Sequence, residues 1–169
     1  MSLTIVDFNN FWSPSGGGVR RYHLEKMNFY RYETDAVYVF VMPDSRTYTE
    51  QLTDSLIIEH VKAFKFPGKW EYRMLWKSSK IAPILKRHKP DIIEVGSPYI
   101  LPTVVRKNAK KIVPRAKLLG FWHADFPITY VERPIAEKFG KKLGKLASQV
   151  AFAYARYEFK GFTGIQVSA

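Results

Sequence analysis

The stretch LTIVDFNNFWSPSGGGVRRY, residues 3–22, decides the fold, because it joins an apolar run to three consecutive glycines and then to a helical pattern. LTIVDF predicts a buried strand, and 18–31 predicts a helix whose apolar residues share one face. Three glycines cost backbone entropy unless the chain needs unusual dihedral angles or a close approach by another molecule. A glycine-rich turn between a strand and a helix directs main-chain N–H groups outward. The stretch therefore predicts either an anion-binding turn or a tight turn without a ligand.

The alternation of strands and helices continues along the chain and predicts an α/β fold with a mainly parallel sheet and helices on both faces. Ligands of such sheets bind beyond the carboxyl ends of the strands. The segments GSPY and HADFP each come directly after the carboxyl end of a predicted strand, as the three glycines do. The further predicted strands are 36–42, 55–61, 90–96, 117–122 and 164–168. The predicted loops are 43–54 and 63–70. The predicted helices are 70–88, 102–110 and 135–160, and Pro83 should kink or divide the first of these.

The composition indicates one globular domain. The chain has 169 residues, 46% of them apolar, and no cysteine, which excludes disulfides and thiolate metal sites. No apolar run approaches the ~18 residues of a membrane span, and the N-terminus lacks the pattern of a signal peptide. We therefore expect a cytoplasmic location, at the inner face of the membrane if the chain touches lipid.

The net charge of +12 is unevenly distributed along the chain. Residues 1–60 carry 5 Lys/Arg and 8 Asp/Glu, whereas residues 61–169 carry 22 Lys/Arg and 7 Asp/Glu. A positive excess confined to the later part of the sequence favours an anionic partner. A phosphate, a nucleic acid and an acidic lipid surface all meet that description.

The glycine loop does not match the common nucleotide-binding motifs. It lacks the Lys-Ser/Thr that ends a nucleotide P-loop, and its glycines lack the dinucleotide spacing. Pro43-Asp44, after the second predicted strand, is only a weak match to the acidic residue of dinucleotide-binding domains. Arg20 and Arg21, just after the glycines, favour a phosphate ligand slightly, although arginines on a helix surface are usually solvated.

The sequence GFWHADFP, residues 120–127, brings an imidazole and a carboxylate to the end of a strand. His123 can donate or accept a hydrogen bond near neutral pH, and Asp125 follows two residues later. The alternative is a histidine whose bonds are satisfied within a loop. The four histidines have no metal-ligand spacing, so we expect no metal. The surroundings of Ser97 lack the pattern of a nucleophile elbow, which argues against a Ser-His hydrolase.

The region 138–160 is basic and amphipathic. Helical spacing lets the apolar residues face the sheet and the lysines face outward. A solvated face, adhesion to an anionic membrane and nucleic-acid binding are all compatible with this pattern. Aromatic residues do not interleave with the basic ones as on a base-stacking surface, so we expect no nucleic acid. The apolar set is Leu143, Leu146, Val150 and Ala153, and the basic set is Lys138, Lys141, Lys142 and Lys145.

Together, SGGGVRRY, PDIIEVGSPY, GFWHADFP and GIQVS resemble the N-terminal half of glycosyltransferase family 4. The resemblance covers most of the chain, in the order and spacing of that family. It implies one Rossmann-like half of a GT-B enzyme, acting on a nucleotide sugar and a lipid or glycan acceptor, with retention of configuration. It also implies that no cofactor or metal is needed and that the bacterial branch transferring mannose or related sugars is the most similar.

The resemblance also implies roles for individual residues. His123 and Asp125 are the expected catalytic residues, with His123 beside the reacting sugar. The expected ligands of the substrate and the donor phosphates are Gly16, Gly17, Gly18, Arg20, Arg21, Ser97 and Tyr99.

The chain departs from the family in one large respect, because the C-terminal donor-binding half is absent from it. We therefore expect residues 1–169 to form a single acceptor-side domain, a fragment that is inactive alone. A basic module that binds nucleic acid or another phosphate compound is the alternative function. An NAD-type oxidoreductase domain is a further alternative, although the glycine spacing counts against it.

Overall fold

A computed structural model describes residues 2–12, 17–65, 72–122 and 125–167. Strands and helices alternate over most of this length. The strands are β1 (Thr4–Phe8), β2 (Val37–Asp44), β3 (Tyr48–Gln51), β4 (Leu56–Lys62), β5 (Phe64–Lys65), β6 (Arg73–Met74), β7 (Ile92–Val95), β8 (Lys117–Trp122) and β9 (Gly164–Val167). The helices are α1 (Gly18–Glu33), α2 (Ser78–His88), α3 (Leu101–Ile112), a π-helix (Pro127–Glu132), α4 (Arg133–Phe139) and α5 (Lys141–Glu158).

Seven strands form one sheet in the order β3-β4-β2-β1-β7-β8-β9. The six from β4 to β9 in that order are parallel, and only the edge strand β3 runs antiparallel. In chain order the six parallel strands are arranged 3-2-1-4-5-6, the order of a Rossmann fold. The predicted α/β class with a mainly parallel, Rossmann-like sheet is therefore confirmed. The strand order reverses between β1 and β7, which is where such folds bind ligands.

Apolar residues on both faces of the sheet explain why its central strands read as continuous hydrophobic runs. On one face, Val6 and Phe8 of β1 belong to a core that α2 and α3 cover. On the other face, Ile5 of β1 and Tyr38 of β2 pack with Met27 of α1. Side chains alternate along β1 between these two cores, so this strand fixes the position of both helical layers.

Three predicted loops or helix boundaries differ from the structure. The predicted loop 43–54 contains the antiparallel edge strand β3, and Phe64–Lys65 pairs with Arg73–Met74 in a small hairpin. Helix α2 begins at Ser78, later than predicted, and continues through Pro83 to His88. An interior proline removes a main-chain donor and crowds the carbonyl oxygen four residues earlier, and the burial of Ile81, Ile84 and Leu85 offsets this cost here.

The predicted long helix over 135–160 is interrupted at Gly140, which adopts φ +94° between α4 and α5. The prediction that the large apolar residues of α5 face the sheet is wrong. Gly144 and Ser148 form part of the buried face instead, because small residues let α5 approach its neighbours closely. The residues that are exposed are Leu143, Leu146, Val150 and Ala153. The lysines of the same region are exposed, as predicted.

Candidate functional site

Two buried asparagines fix the chain where it leaves β1. The side-chain oxygen of Asn9 accepts a hydrogen bond from the N–H of Phe11 at 2.7 Å, which closes a tight turn. The side-chain oxygen of Asn10 accepts a bond from the N–H of Leu75 at 2.9 Å. The bond to Asn10 holds the segment after β1 against the segment before α2. The exit of β1 is therefore rigidly positioned at the carboxyl edge of the sheet.

No side chain among the described residues caps the start of helix α1. Gly17 is its N-cap residue, and the carbonyl oxygen of Gly17 accepts the N–H of Arg21 at 3.2 Å. The first turn carries no acidic residue. A Cβ built on Gly17 or Gly18 would meet no described atom within 4 Å. Gly17 and Gly18 thus border space that no described atom fills, at a helix start that carries partial positive charge.

The two arginines after the glycines have different surroundings. Arg20 is half-buried, and its guanidinium carbon lies 5.9 Å from the centre of the Trp12 ring. Trp12 packs in turn against Phe40, with ring centres 5.2 Å apart. Arg21 is exposed. Arg20 is therefore held beside the first turn of α1 by an aromatic contact, whereas Arg21 points its charge into solvent.

The chain leaves β7 through a strained turn on the other side of the switch point. The N–H of Gly96 donates to the carbonyl oxygen of Phe8 at 2.9 Å, so the exits of β1 and β7 are joined. Ser97 is fully buried, and its hydroxyl has no hydrogen-bond partner among the described residues. Ile100 adopts φ +47°, a costly conformation for a β-branched residue. Strain of this kind is concentrated at functional sites.

Tyr99 lies in the same turn and is half-buried between two aromatic rings. Its ring centre is 5.7 Å from that of Phe11 and 4.5 Å from that of Phe126. Burial, with a contribution from the nearby Tyr130, raises the pKa of the Tyr99 hydroxyl. The hydroxyl therefore remains protonated at neutral pH and can donate a hydrogen bond. Phe11 and Phe126 bring the exit of β1 and the start of the π-helix next to this tyrosine.

The end of β8 lies beside α1. The ring of Tyr22 stacks on that of Phe121 with centres 4.5 Å apart. Asp125 is exposed, and its carbonyl oxygen accepts the N–H of Thr129 at 2.9 Å. Of the predicted site residues, Gly16 and His123 lie outside the described residues. The described members of the predicted site all follow β1, β7 or β8 at one edge of the sheet.

A buried charged cluster that the sequence analysis missed lies below this edge. Asp7 of β1 and Glu94 of β7 are direct neighbours in the parallel ladder. The Lys26 ammonium group of α1 bonds to Asp7 Oδ2 at 2.8 Å and also to the carboxylate of Glu94. The hydroxyl of Tyr38 donates to Asp7 Oδ2 at 2.7 Å. The sequence signal for this cluster is an acidic residue inside each of two apolar strands, Asp7 in β1 and Glu94 in β7. Charged residues are unusual in strands that are covered on both faces of the sheet.

The charges of this cluster shift one another's protonation. Burial alone would raise the pKa of Asp7, but Lys26, His23 and the Tyr38 hydroxyl lower it from 3.8 to about 2. Burial lowers the pKa of His23 despite the nearby Asp7 carboxylate. The imidazole of His23 also contacts the side chain of Asn9 at the exit of β1. The cluster therefore ties α1 to the two strands on either side of the switch point.

Asp44, at the end of β2, is engaged with protein groups. Its carboxylate bonds to the ring Nδ1 of His60 at 2.7 Å and to the main-chain N–H of Ser45. In dinucleotide-binding folds an acidic residue at this place binds a ribose hydroxyl. Among the described residues, no group of His, Asp and Glu side chains could hold a metal ion. No helix in the described ranges is long and apolar enough to cross a membrane.

Comparisons with known proteins do not add a family to this description. No family model matches the chain, and none of the curated proteins is similar to it in sequence. Any function must therefore be inferred from the geometry at the carboxyl edge of the sheet.

Proposed function

We propose that this chain is the acceptor-side domain of a sugar-nucleotide-dependent glycosyltransferase. The substrates are a nucleotide sugar carrying a mannose-like or glucose-like hexose and a lipid or glycan acceptor, and transfer proceeds with retention. The proposal requires a second domain that supplies the remainder of the donor site. A single domain leaves the cleft open to water, and closure of two domains excludes it. We therefore expect the 169 residues to be inactive by themselves.

The observation that carries the proposal is the open main chain at the start of α1. Gly17 and Gly18 border space that no described atom fills, at the switch point of a Rossmann-like sheet. No described side chain caps this helix start, so its first N–H groups are the proposed donors. Phosphate groups bind readily at such helix starts. A diphosphate ester fits this place better than a neutral ligand because the donors and the nearby Arg20 all favour negative charge.

The chemistry of sugar transfer gives each proposed residue a task. As the bond from the anomeric carbon to the diphosphate breaks, negative charge develops on the leaving phosphate. Fixed N–H donors and cations stabilise that charge most strongly in the transition state. We assign this task to 16–18 together with Arg20 and Arg21. His123 and Asp125 are assigned to the reacting sugar and the acceptor hydroxyl.

Ser97 and Tyr99 are assigned to substrate binding on the β7 side of the cleft. The Ser97 hydroxyl is fully buried and has no partner among the described residues, so a substrate completes its hydrogen bonding only if the turn at 96–100 shifts to expose it. The protonated Tyr99 hydroxyl can donate to a sugar oxygen. The strained turn that ends at Ile100 holds both side chains at this edge. This assignment needs no metal and no cofactor.

Transfer by the product of the complete reading frame tests the proposal. Labelled nucleotide sugars with guanine and uracil bases are incubated with a lipid extract, and labelled product is counted. Gly18→Leu should lower turnover at least tenfold while the protein remains folded, because the new side chain enters open space that the donor needs. Ser79→Leu, at an exposed position in the first turn of α2, is the matched control and should leave turnover unchanged. Undiminished turnover in Gly18→Leu would contradict the proposal.

The proposal also includes a location. A transferase that uses cytoplasmic nucleotide sugars and a lipid acceptor would act in the cytoplasm, at the inner face of the membrane. Fractionation of cells that express the complete product tests this location. Recovery of the protein in the extracytoplasmic fraction would contradict it.

A further inference from the structure

An open apolar groove of about 690 Å³ lies between the helical segment 127–139 and α5. We call it the α4–α5 groove. Its described lining is entirely apolar or aromatic. Leu143, Leu146 and Val150 of α5 are 52%, 57% and 64% exposed there, and Phe139 of α4 is 60% exposed. Contiguous exposed apolar surface of this kind marks an interaction site.

The packing of α5 explains why the described part of the chain does not cover this groove. Gly144 and Ser148 belong to the buried face of α5, and a Cβ on Gly144 would lie 2.8 Å from the carbonyl oxygen of Glu132. The Ser148 hydroxyl also donates to the carboxylate of Glu132. The helix is thus held against the segment before it through its smallest residues. Its large apolar side chains are left on another side.

The exposed apolar residues of α5 follow the repeat of a helix that packs against another helix. Leu143, Val150 and Tyr157 recur at every seventh position, and Leu146 and Ala153 each stand three positions after one of them. All five are exposed, and we call them the α5 stripe. They occupy the a and d positions of heptads, whose side chains interlock with those of a facing helix. A second α5 carries the same pattern and therefore fits this face.

The charged residues of α5 do not oppose a contact between two copies. At about 100° per residue, Lys141 and Lys145 lie on the side of the helix opposite Val150. Lys142 stands at the border of the α5 stripe, where its long side chain can reach solvent. Glu158, the acidic residue of this helix, is buried. Two copies can therefore meet through the α5 stripe without placing like charges face to face.

The exposed face is large enough for a stable dimer. Tyr154 and Tyr157, 37% and 55% exposed, extend it to the C-terminal end of α5. Together with Phe139 and the aliphatic residues of the α5 stripe, they present on the order of 600 Å² of apolar surface on each copy. Association would then bury roughly 1,200 Å² in total, which reaches the range of specific protein interfaces.

We propose that the α4–α5 groove and the α5 stripe bind a second copy of this chain across a two-fold axis. Each α5 enters the groove of the other copy, with Val150, in the middle of the α5 stripe, close to the axis. The two pairs of helices then form a four-helix bundle. A two-fold contact requires a surface that is complementary to itself, and the heptad pattern supplies one. This inference goes beyond the proposed function and does not rest on it, because neither nucleotide nor sugar enters its test.

Sedimentation equilibrium of the 169-residue chain tests the dimer. The unmodified chain should be a dimer, and Leu146→Glu/Val150→Glu should raise the dissociation constant at least ~100-fold, because each copy would bury two unpaired charges. Both side chains are exposed, so circular dichroism of this double variant should show the native fold. Added salt should leave the dimer intact, since it screens the repulsion between two basic chains. Leu52→Glu is the matched control and should dimerise normally, because Leu52 is an exposed leucine in the turn before β4.

Cysteine cross-linking locates the contact, because the chain has no cysteine of its own. Val150→Cys should give a disulfide-linked dimer on mild oxidation, whereas Lys145→Cys, on the opposite side of the same helix, should remain a monomer on a denaturing gel. A monomeric unmodified chain, or unchanged association of Leu146→Glu/Val150→Glu, would overturn the proposal. So would equal cross-linking of the two cysteine variants. A complete product that is monomeric would also overturn it, because another segment would then cover the groove.

Discussion

Replacing Lys26 with methionine removes the ammonium group that lies between two buried carboxylates. Asp7 and Glu94 stand side by side on adjacent strands, and Lys26 bonds to both. Methionine preserves most of the side-chain length and the helix propensity of lysine. The substitution therefore leaves two neighbouring negative charges at a largely buried place without their bridging cation.

The size of the effect follows from the burial of this cluster. The side chains of Asp7 and Lys26 are only 3% and 11% exposed. Removing one partner of a buried ion pair costs about 3–5 kcal/mol of unfolding free energy. The lowering of the Asp7 pKa from 3.8 to about 2 corresponds independently to about 2 kcal/mol. We expect Lys26→Met to lose about 3 kcal/mol of stability at pH 7, within the range for buried pairs.

The pH dependence gives a second, more specific expectation. In the unmodified protein the pKa of Asp7 is lower folded than unfolded, so its stabilisation is present above pH 4 and is lost as the pH falls toward 2. Without Lys26, burial is the dominant influence and raises the pKa of Asp7 in the folded state. Protonation then stabilises the variant as the pH falls. The stability difference between the two proteins should therefore shrink as the pH decreases from 7 to 4.

Urea denaturation followed by circular dichroism at pH 7, 5.5 and 4 measures both expectations. Lys107→Met, at an exposed position of α3, is the matched control and should change stability by less than about 0.5 kcal/mol. A loss below about 1 kcal/mol for Lys26→Met at pH 7 would refute the reasoning, because a surface lysine can lose that much. A loss that stays constant across the three pH values would also refute it.

Three further predictions concern close contacts and the proposed chemistry. Gly120→Ala should lower the unfolding free energy by about 1–3 kcal/mol in urea denaturation, because its Cβ would lie 2.7 Å from two ring carbons of Phe159. Gly144→Ala should cost a similar amount, about 1–3 kcal/mol, in thermal unfolding, since its Cβ would lie 2.8 Å from the rigid main-chain oxygen of Glu132. His123→Ala in the complete product should lower turnover more than ~10-fold, about 1.4 kcal/mol, and a smaller change would leave His123 a structural residue.

The central strands could be predicted from the sequence because their hydrophobicity is continuous. Apart from Asp91 and Lys117, no residue of the runs at 36–42, 90–96 and 117–122 is exposed, and each run coincides with a strand of the sheet. The glycine loop marked the start of α1 to the residue. The alternation of strands with helices predicted a parallel sheet. Because parallel strands end at the same edge, it also predicted that the segments after β1, β7 and β8 lie close together.

The hydrophobic periodicity of the sequence did not reveal what covers each face of a helix or which charged side chains form ion pairs. The apolar stripe of α5 is real, but a helical pattern does not tell whether a stripe meets the sheet or solvent, and here Gly144 and Ser148 meet the protein instead. The contact of Lys26 with Glu94 joins residues that are 68 positions apart in sequence. The position of the Lys26 ammonium group depends on how α1 lies across the sheet. The edge strand β3 escaped prediction because it is polar and exposed throughout.

The central claim is that the bare main chain at the start of α1 binds the diphosphate of a nucleotide sugar. Amide ¹H–¹⁵N spectra of the 169-residue chain, titrated with guanosine and uridine diphosphates, test it directly. We expect saturable shifts of the Gly17, Gly18 and Val19 amides at nucleotide concentrations of ~1–10 mM. Gly18→Leu should abolish these shifts, and the Gly161 amide should remain unshifted. Shifts confined to the lysine-rich helices α4 and α5, or none in this concentration range, would contradict it.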